Sequence, residues 1–204
     1  MVTFKDIWDR LMLDTGQYLY ESALKIDSTD NRFNLLVRGV LGTYSKYMPV
    51  EKNFNRTIDL SYDFTNDSEG IPDWISSAVL VSYPLYQFVS NNDLNLINVF
   101  HEYRKPVLYV SIAGEYEITA LYNHEVIDDN GVWKIDTISD SDDLFFKLLA
   151  GRFLQLIGRS RRAFTLNDLP ISSDADSLVS EGKEMEQEAL EQLGEESKWY
   201  LCWK

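Results

Sequence analysis

The sequence predicts an α+β chain with N-terminal helices, a central antiparallel β-sheet and a C-terminal helical hairpin. Three observations predict it. Apolar residues recur at three-to-four spacing before about residue 50, alternate with polar residues through the middle, and return to helical spacing after Ser139. The 204 residues are 45% hydrophobic and 25% charged, enough for one sizeable core. The expected organisation is a single domain over 1–204, helical over 1–50, β-rich over 51–137, helical over 138–198 and closed by an aromatic tail over 199–204.

Phe4, Ile7, Trp8, Leu11 and Met12 form the first helical stripe, interrupted by Asp14-Thr15-Gly16, and a weaker segment runs through Tyr18, Leu19, Ala23, Leu24 and Ile26. Cap-forming residues at 27–31 then introduce a helix from about 30 to 46, with Phe33, Leu36, Val37, Val40, Leu41 and Tyr44 on one face. Strict alternation of Ile58, Leu60, Tyr62 and Phe64 with polar residues predicts a strand over 56–64, closed by the turn residues 66–70. Residues 78–83, 107–112 and 116–122 are β-branched and aromatic, and the last two, split by Ala113-Gly114, read as one hairpin. Acids at 140–143 open the next helix, whose inner face is Phe145, Leu148, Leu149, Phe153, Leu156 and Ile157 and whose far end carries arginines, as the helix dipole favours. A last helix over 174–193 has a thin stripe of Leu178, Met185, Ala189, Leu190 and Leu193 among many glutamates, so its other faces meet water or a neighbouring subunit.

Composition excludes several classes. A net charge of -14 argues against a module that wraps phosphates, the single Cys202 against a disulfide framework, and the want of a long apolar run against a membrane span. The N-terminus carries no basic patch leading into a hydrophobic core, so the expectation is cytoplasmic synthesis without secretion by that route.

No motif for catalysis stands out. His101 and His124 lack the close pairing of a zinc site, and a structural role is the simpler reading. Asp140, Asp142, Asp143, Asp174 and Asp176 could hold a divalent cation, yet each group sits where a helix begins and reads first as a cap. Gly158-Arg159-Ser160-Arg161 lacks the second glycine and the strand of a nucleophile elbow. Gly39 and Gly42, or Gly151 and Gly158, make no phosphate loop, and close helix packing explains them better. Cys202 reads as a small apolar filler. The expectation is therefore no enzyme, no cofactor and no metal.

What remains is charge segregation. Arg152, Arg159, Arg161 and Arg162 are the one basic cluster, which complements a helix end, docks an acidic surface or, less readily, meets a nucleic-acid backbone. Residues 171–204 hold nine acids and three lysines, so a basic patch on one copy can meet an acidic arm on the next, head to tail. Trp199, Tyr200 and Trp203 in the C-terminal tail are candidate interface anchors.

The order of short segments carries a resemblance. Tyr44-Ser45-Lys46-Tyr47-Met48-Pro49 ends a helix, Ile71-Pro72-Asp73-Trp74 precedes the strand Val79-Leu80-Val81-Ser82-Tyr83-Pro84, and Asp136-Thr137-Ile138-Ser139 leads into an apolar helix followed by Asp174-Ala175-Asp176-Ser177-Leu178. This succession, over roughly 33–195, resembles neck or head-to-tail connector proteins of tailed bacteriophages, virion proteins that form a ring beneath the portal. It departs from that pattern at Met48, where a basic residue is expected, at Ser82, where an acid is, and at Ser139, where a proline is. The resemblance implies a structural subunit of the virion neck: copies of itself in a ring, portal and tail-proximal neck or tail proteins as partners, and DNA passing through the lumen without specific binding. On this view the acidic charge lets the genome slide, and Arg152, Arg159, Arg161, Arg162, Trp199, Tyr200 and Trp203 are the partner-contact residues. Three other readings stay open: a tail or baseplate component, a carboxylate- or metal-dependent hydrolase, and a regulatory module that binds through its acidic arm.

Overall fold

The computed structural model describes residues 1–17, 26–82, 100–163 and 172–197. It is α+β, as the sequence predicts. The chain forms two compact units, one of residues 1–48 and 123–204, the other of residues 49–122.

The first unit is mainly helical. It contains β1 (Val2–Thr3), α1 (Phe4–Asp14), α2 (Asn31–Tyr44), β8 (Ile127–Asp129), β9 (Val132–Ile135), α3 (Asp143–Ala163) and α4 (Ser172–Glu196). Thr3 caps α1 in a capping box with Asp6, and Gly16, at φ 64°, adopts the left-handed conformation that ends it. Asp30 caps α2 by accepting from the Arg32 amide at 2.7 Å. Phe4, Ile7, Trp8, Leu11 and Met12 are all buried, as their spacing requires. Trp8 meets Phe33 and Phe153 edge-on, with ring centroids 5.0 and 5.8 Å away, which ties α1, α2 and α3 together.

The helical hairpin is close-packed. A Cβ added at Gly151 would lie 2.7 Å from the Gly182 carbonyl oxygen, and one at Gly158 would lie 2.7 Å from that of Ala175. Partner numbers fall as α3 advances, so the helices run antiparallel. Gly151 and Gly158 are seven residues apart, as are Ala175, Gly182 and Ala189, so small residues recur every second turn along the seam. That spacing gives Gly151 and Gly158 the packing role expected of them, whereas Gly39 and Gly42, of which the same was expected, have nothing within 4 Å of a Cβ and pack against no helix there.

The second unit is built from β2 (Val50–Ile58), β3 (Ser61–Asp63), β4 (Trp74–Ser82), β5 (His101–Arg104), β6 (Val107–Val110) and β7 (Gly114–Tyr122). Two three-stranded antiparallel sheets, ordered β2-β7-β4 and β3-β6-β5, close on one core that includes Ile58, Phe64, Leu108, Tyr116 and Ile118.

Four expectations are corrected. The strand expected over 56–64 is two strands broken at Asp59-Leu60. β2 pairs with β7 and β3 with β6, so Leu60 lies 61% exposed instead of on the buried face. The segments at 107–112 and 116–122 form no hairpin with each other, because β6 and β7 belong to different sheets. The β-rich stretch to 137 is divided, since β8 and β9 pair with each other and β9 with β1 in the helical unit. Their turn, Asn130-Gly131, has φ values of 56° and 86°, the two positive angles that a two-residue hairpin turn demands. Leu156, expected inside α3, is 39% exposed. Tyr83 and the weak segment at 18–24 lie outside the described residues.

Candidate interaction surface

The arginine cluster is taken apart by its helix. At 100° per residue, Arg152 and Arg159 lie on one side of α3, two turns apart, and Arg161 points elsewhere. Arg152 donates to Glu186 Oε1 at 2.8 Å, to the Gly39 carbonyl at 2.9 Å and to Thr43 Oγ1 at 2.9 Å, so it joins α2, α3 and α4. Gln155, almost fully buried, donates to Glu186 Oε2 at 2.7 Å. Burial pushes the Glu186 carboxyl up, but its bonds from Arg152 and Gln155 outweigh that and leave it below its usual range. Arg152 thus works inside the fold, whereas Arg159 is exposed and, among the described residues, reaches Gln155 Oε1 at 3.4 Å. An open concavity of about 370 Å³ lies over this network, lined by Leu36, Arg152, Gln155, Leu156, Arg159 and Glu186. Arg161 donates to Gln17 Oε1 at 3.2 Å on the other side. The Arg162 side chain, the tail residues Trp199, Tyr200 and Trp203, and Cys202 lie outside the described residues.

Two helix faces of the same unit carry opposite charge. On α2 and its C-terminal turn, Arg32, Leu35, Arg38, Gly39, Gly42 and Lys46 form one exposed stripe, and no acid occurs between Asn31 and Lys46. Leu35 is 62% exposed, and a Cβ at Gly39 or Gly42 would meet nothing within 4 Å. Arg32 pairs with Asp30 at 2.6 Å and Arg38 donates to Asn34 Oδ1 at 2.6 Å. On α4, exposed Glu181, Glu184, Glu188, Glu191 and Glu195 follow 3-4-3-4 spacing and form one acidic stripe. Lys147 pairs with Glu188 at 2.8 Å.

Several of the groups that catalysis could have used are engaged in structure. Met48 O accepts from His124 Nε2 at 2.7 Å, so that nitrogen carries the proton, and Nδ1 faces Thr137 Oγ1 at 2.7 Å. Burial pushes the His124 imidazole down, against the pull of that carbonyl and of Asp142, and burial alone lowers His101. At the start of α3, Asp142 Oδ2 accepts from the Ser139 amide at 2.6 Å. Asp143 pairs with Arg10 at 2.6 Å, and the Asp140 carbonyl accepts from the same arginine. Ser160 Oγ donates to the Ile157 carbonyl at 2.9 Å. Asp176 is exposed on α4, and the Asp174 side chain lies outside the described residues. Among the described residues no three His, Cys, Asp or Glu side chains group to hold a metal ion, and no helix is long and apolar enough to cross a membrane.

The second unit holds a polar cluster that sequence reasoning read only as a turn. Asp67, its side chain 1% exposed, accepts from Arg56 Nε and Nη2 at 2.6 Å each, from the Tyr62 hydroxyl at 2.6 Å and from the Glu69 amide at 2.8 Å. The Arg56 bonds hold its carboxyl well below the usual range despite burial. The signal available in sequence was Arg56, a cation within an otherwise alternating strand, eleven residues before an acid in a turn; spacing alone does not pair them. Compared with known proteins, the chain matches no family model and no curated relative. The family resemblance therefore rests on the order of its segments.

Proposed function

We propose that the chain is a non-enzymatic structural subunit of a tailed-bacteriophage virion, a neck connector that forms a ring between portal and tail. One observation carries the reading: the segments that bear the resemblance fall at element junctions. Tyr44–Pro49 bridges α2 to β2, Ile71–Trp74 enters β4, Asp136–Ser139 leads into α3, and Asp174–Leu178 is the start of α4. Junction residues set where one element stops and the next begins, so a shared order of them is an argument about architecture. In this reading the acidic surface of each subunit, repeated around the ring, keeps passing DNA from adhering. Arg159 and the tail aromatics Trp199, Tyr200 and Trp203 contact portal or tail proteins, while Arg152 ties α2, α3 and α4 together beside Arg159.

The test is antibody-gold labelling of purified phage particles from the source. Label at the head-tail junction is the expected result. Label at the distal tail moves the chain to the baseplate, and particles without label overturn the virion reading.

A further inference from the structure

We infer that the exposed face of α2 is a docking surface for the acidic face of α4 from a second copy of this chain. The inference deepens the ring reading and rests on it for closure, but the two surfaces are defined by this chain alone.

Among the described residues the exposed stripe of α2 has open space at its glycines, and Arg152 reaches its edge at the Gly39 carbonyl. Glycine within a helix costs about 1 kcal/mol relative to alanine, and Gly39 and Gly42 sit three residues apart with open space where a Cβ would stand. Gly194, near the end of α4, also faces open space, but it stands alone and not on a cationic stripe, and the other helical glycines of the unit have a visible reason. At Gly151, Gly158 and Gly182 another helix backbone lies where the side chain would be. An exposed leucine at 62%, two side-chain-free positions and the cations Arg38 and Lys46 on one stripe describe a strip that a second helix can approach closely.

Charge selects the occupant. Among the described residues neither Arg38 nor Lys46 pairs with a carboxylate, and α2 has no acid of its own. The acidic stripe on α4 repeats carboxylates at i,i+3 and i,i+4, an arrangement that repels itself and gains from an opposing cationic strip. The lengths agree: Leu35 to Lys46 spans about 16 Å along a helix and Glu181 to Glu195 about 21 Å. Both faces are exposed in one chain, so the contact that satisfies them joins different surfaces of two copies. Such a head-to-tail contact repeats, and it closes into a ring when its rotation divides a full turn.

Charge exchange tests this in the full-length protein by sedimentation velocity across a concentration series, with circular dichroism as the check on folding. Wild type associates, and salt weakens the association. Arg38→Glu with Lys46→Glu, and separately Glu181→Lys with Glu184→Lys and Glu191→Lys, each weaken it by about tenfold or more. An equimolar mixture of the two variants recovers it, because each offers the complement of the other. Gly42→Leu, at a position where a Cβ meets nothing within 4 Å, keeps the helical signal and weakens association by steric block, so the test survives if a charge variant fails to fold. Wild type that stays monomeric to its solubility limit, variants that associate like wild type, or a mixture that does not recover each overturn the contact. Particle labelling is read separately: label at the neck with no such contact leaves the connector reading standing, and the contact without label removes that reading alone.

Discussion

The helical unit and the β unit each bring polar groups together inside a packed body, and they do it by opposite means. In the helical unit the backbones approach: at the α3–α4 seam a Cβ on Gly182 would lie 2.5 Å from the Gly151 carbonyl oxygen, so the seam depends on side chains that are missing. In the β unit the side chains converge, with Arg56 and Tyr62 closing on a carboxylate that is 1% exposed. The lesson is where each unit is brittle. The β unit fails at a charge that is removed, and the helical unit fails at a methyl group that is added.

The largest expected effect is in the β unit. Asp67→Ala leaves the Arg56 guanidinium without its bidentate partner and the Tyr62 hydroxyl without its acceptor, and it lowers stability by about 3 kcal/mol in urea unfolding. The same carboxyl makes the unit acid-sensitive. Its folded pKa lies below the unfolded value of about 4, so its contribution is complete above that pH and is lost as pH falls below it toward the folded value. The stability gap between wild type and Asp67→Ala should be smaller at pH 3 than at pH 7 and go on shrinking below that; an equal gap at the two pH values would break the account.

Next in size is the seam. Gly182→Ala must displace the Gly151 carbonyl and the Gln155 backbone, whose nitrogen lies 2.9 Å from the new atom. About 2 kcal/mol of destabilisation is expected. If the variant unfolds like wild type, the two helices are not held by close approach.

These two sites also show how far the sequence could be read. The helices were legible because their apolar stripes are local: Phe4, Ile7, Trp8, Leu11 and Met12 repeat at helical spacing and all are buried. Sheet membership was not, because pairing is non-local. Nothing near Ala113-Gly114 says that β6 turns to β3 and β5 while β7 turns to β2 and β4. Leu60 kept perfect alternation and still faces water, since the bend at Asp59-Leu60 changes sheets. The Asn130-Gly131 hairpin was legible and missed, masked by an acidic run that reads as loop. Of the candidate arginines, linear clustering suggested one patch, whereas helical phase separates Arg161 and commits Arg152 to Glu186.

A smaller effect, with the opposite sign, tests the β unit from another side. The hydroxyl of Tyr122 is buried with no hydrogen-bond partner among the described residues, and burial, with the nearby Asp67 and Glu69 charges, pushes its pKa up to about 12. Removing an unsatisfied hydroxyl without changing shape should help, so Tyr122→Phe gains about 1 kcal/mol in the same urea experiment. Because the folded pKa lies above the unfolded value of about 10, the fold disfavours ionisation of this tyrosine, and stability falls as pH rises from about 10 toward 12. Tyr122→Phe should flatten the alkaline end of the stability profile, and an unchanged profile would mean the hydroxyl finds a partner.

The smallest change sharpens the comparison most, because it separates two kinds of helical glycine within one unit. Gly39→Ala and Gly42→Ala add a methyl group where nothing lies within 4 Å, so each should raise stability by roughly 0.5–1 kcal/mol, as alanine does in an exposed helix interior. The same methyl group at Gly182 should have the opposite sign. Opposite signs from one substitution type mean that a glycine at the seam is required by the fold, whereas a glycine on α2 opposes it. Fold stability then gives no reason for Gly39 and Gly42, and the reason must lie in what approaches that face. If both alanine variants instead destabilise the monomer, the α2 glycines belong to the fold, and the docking argument loses its first support.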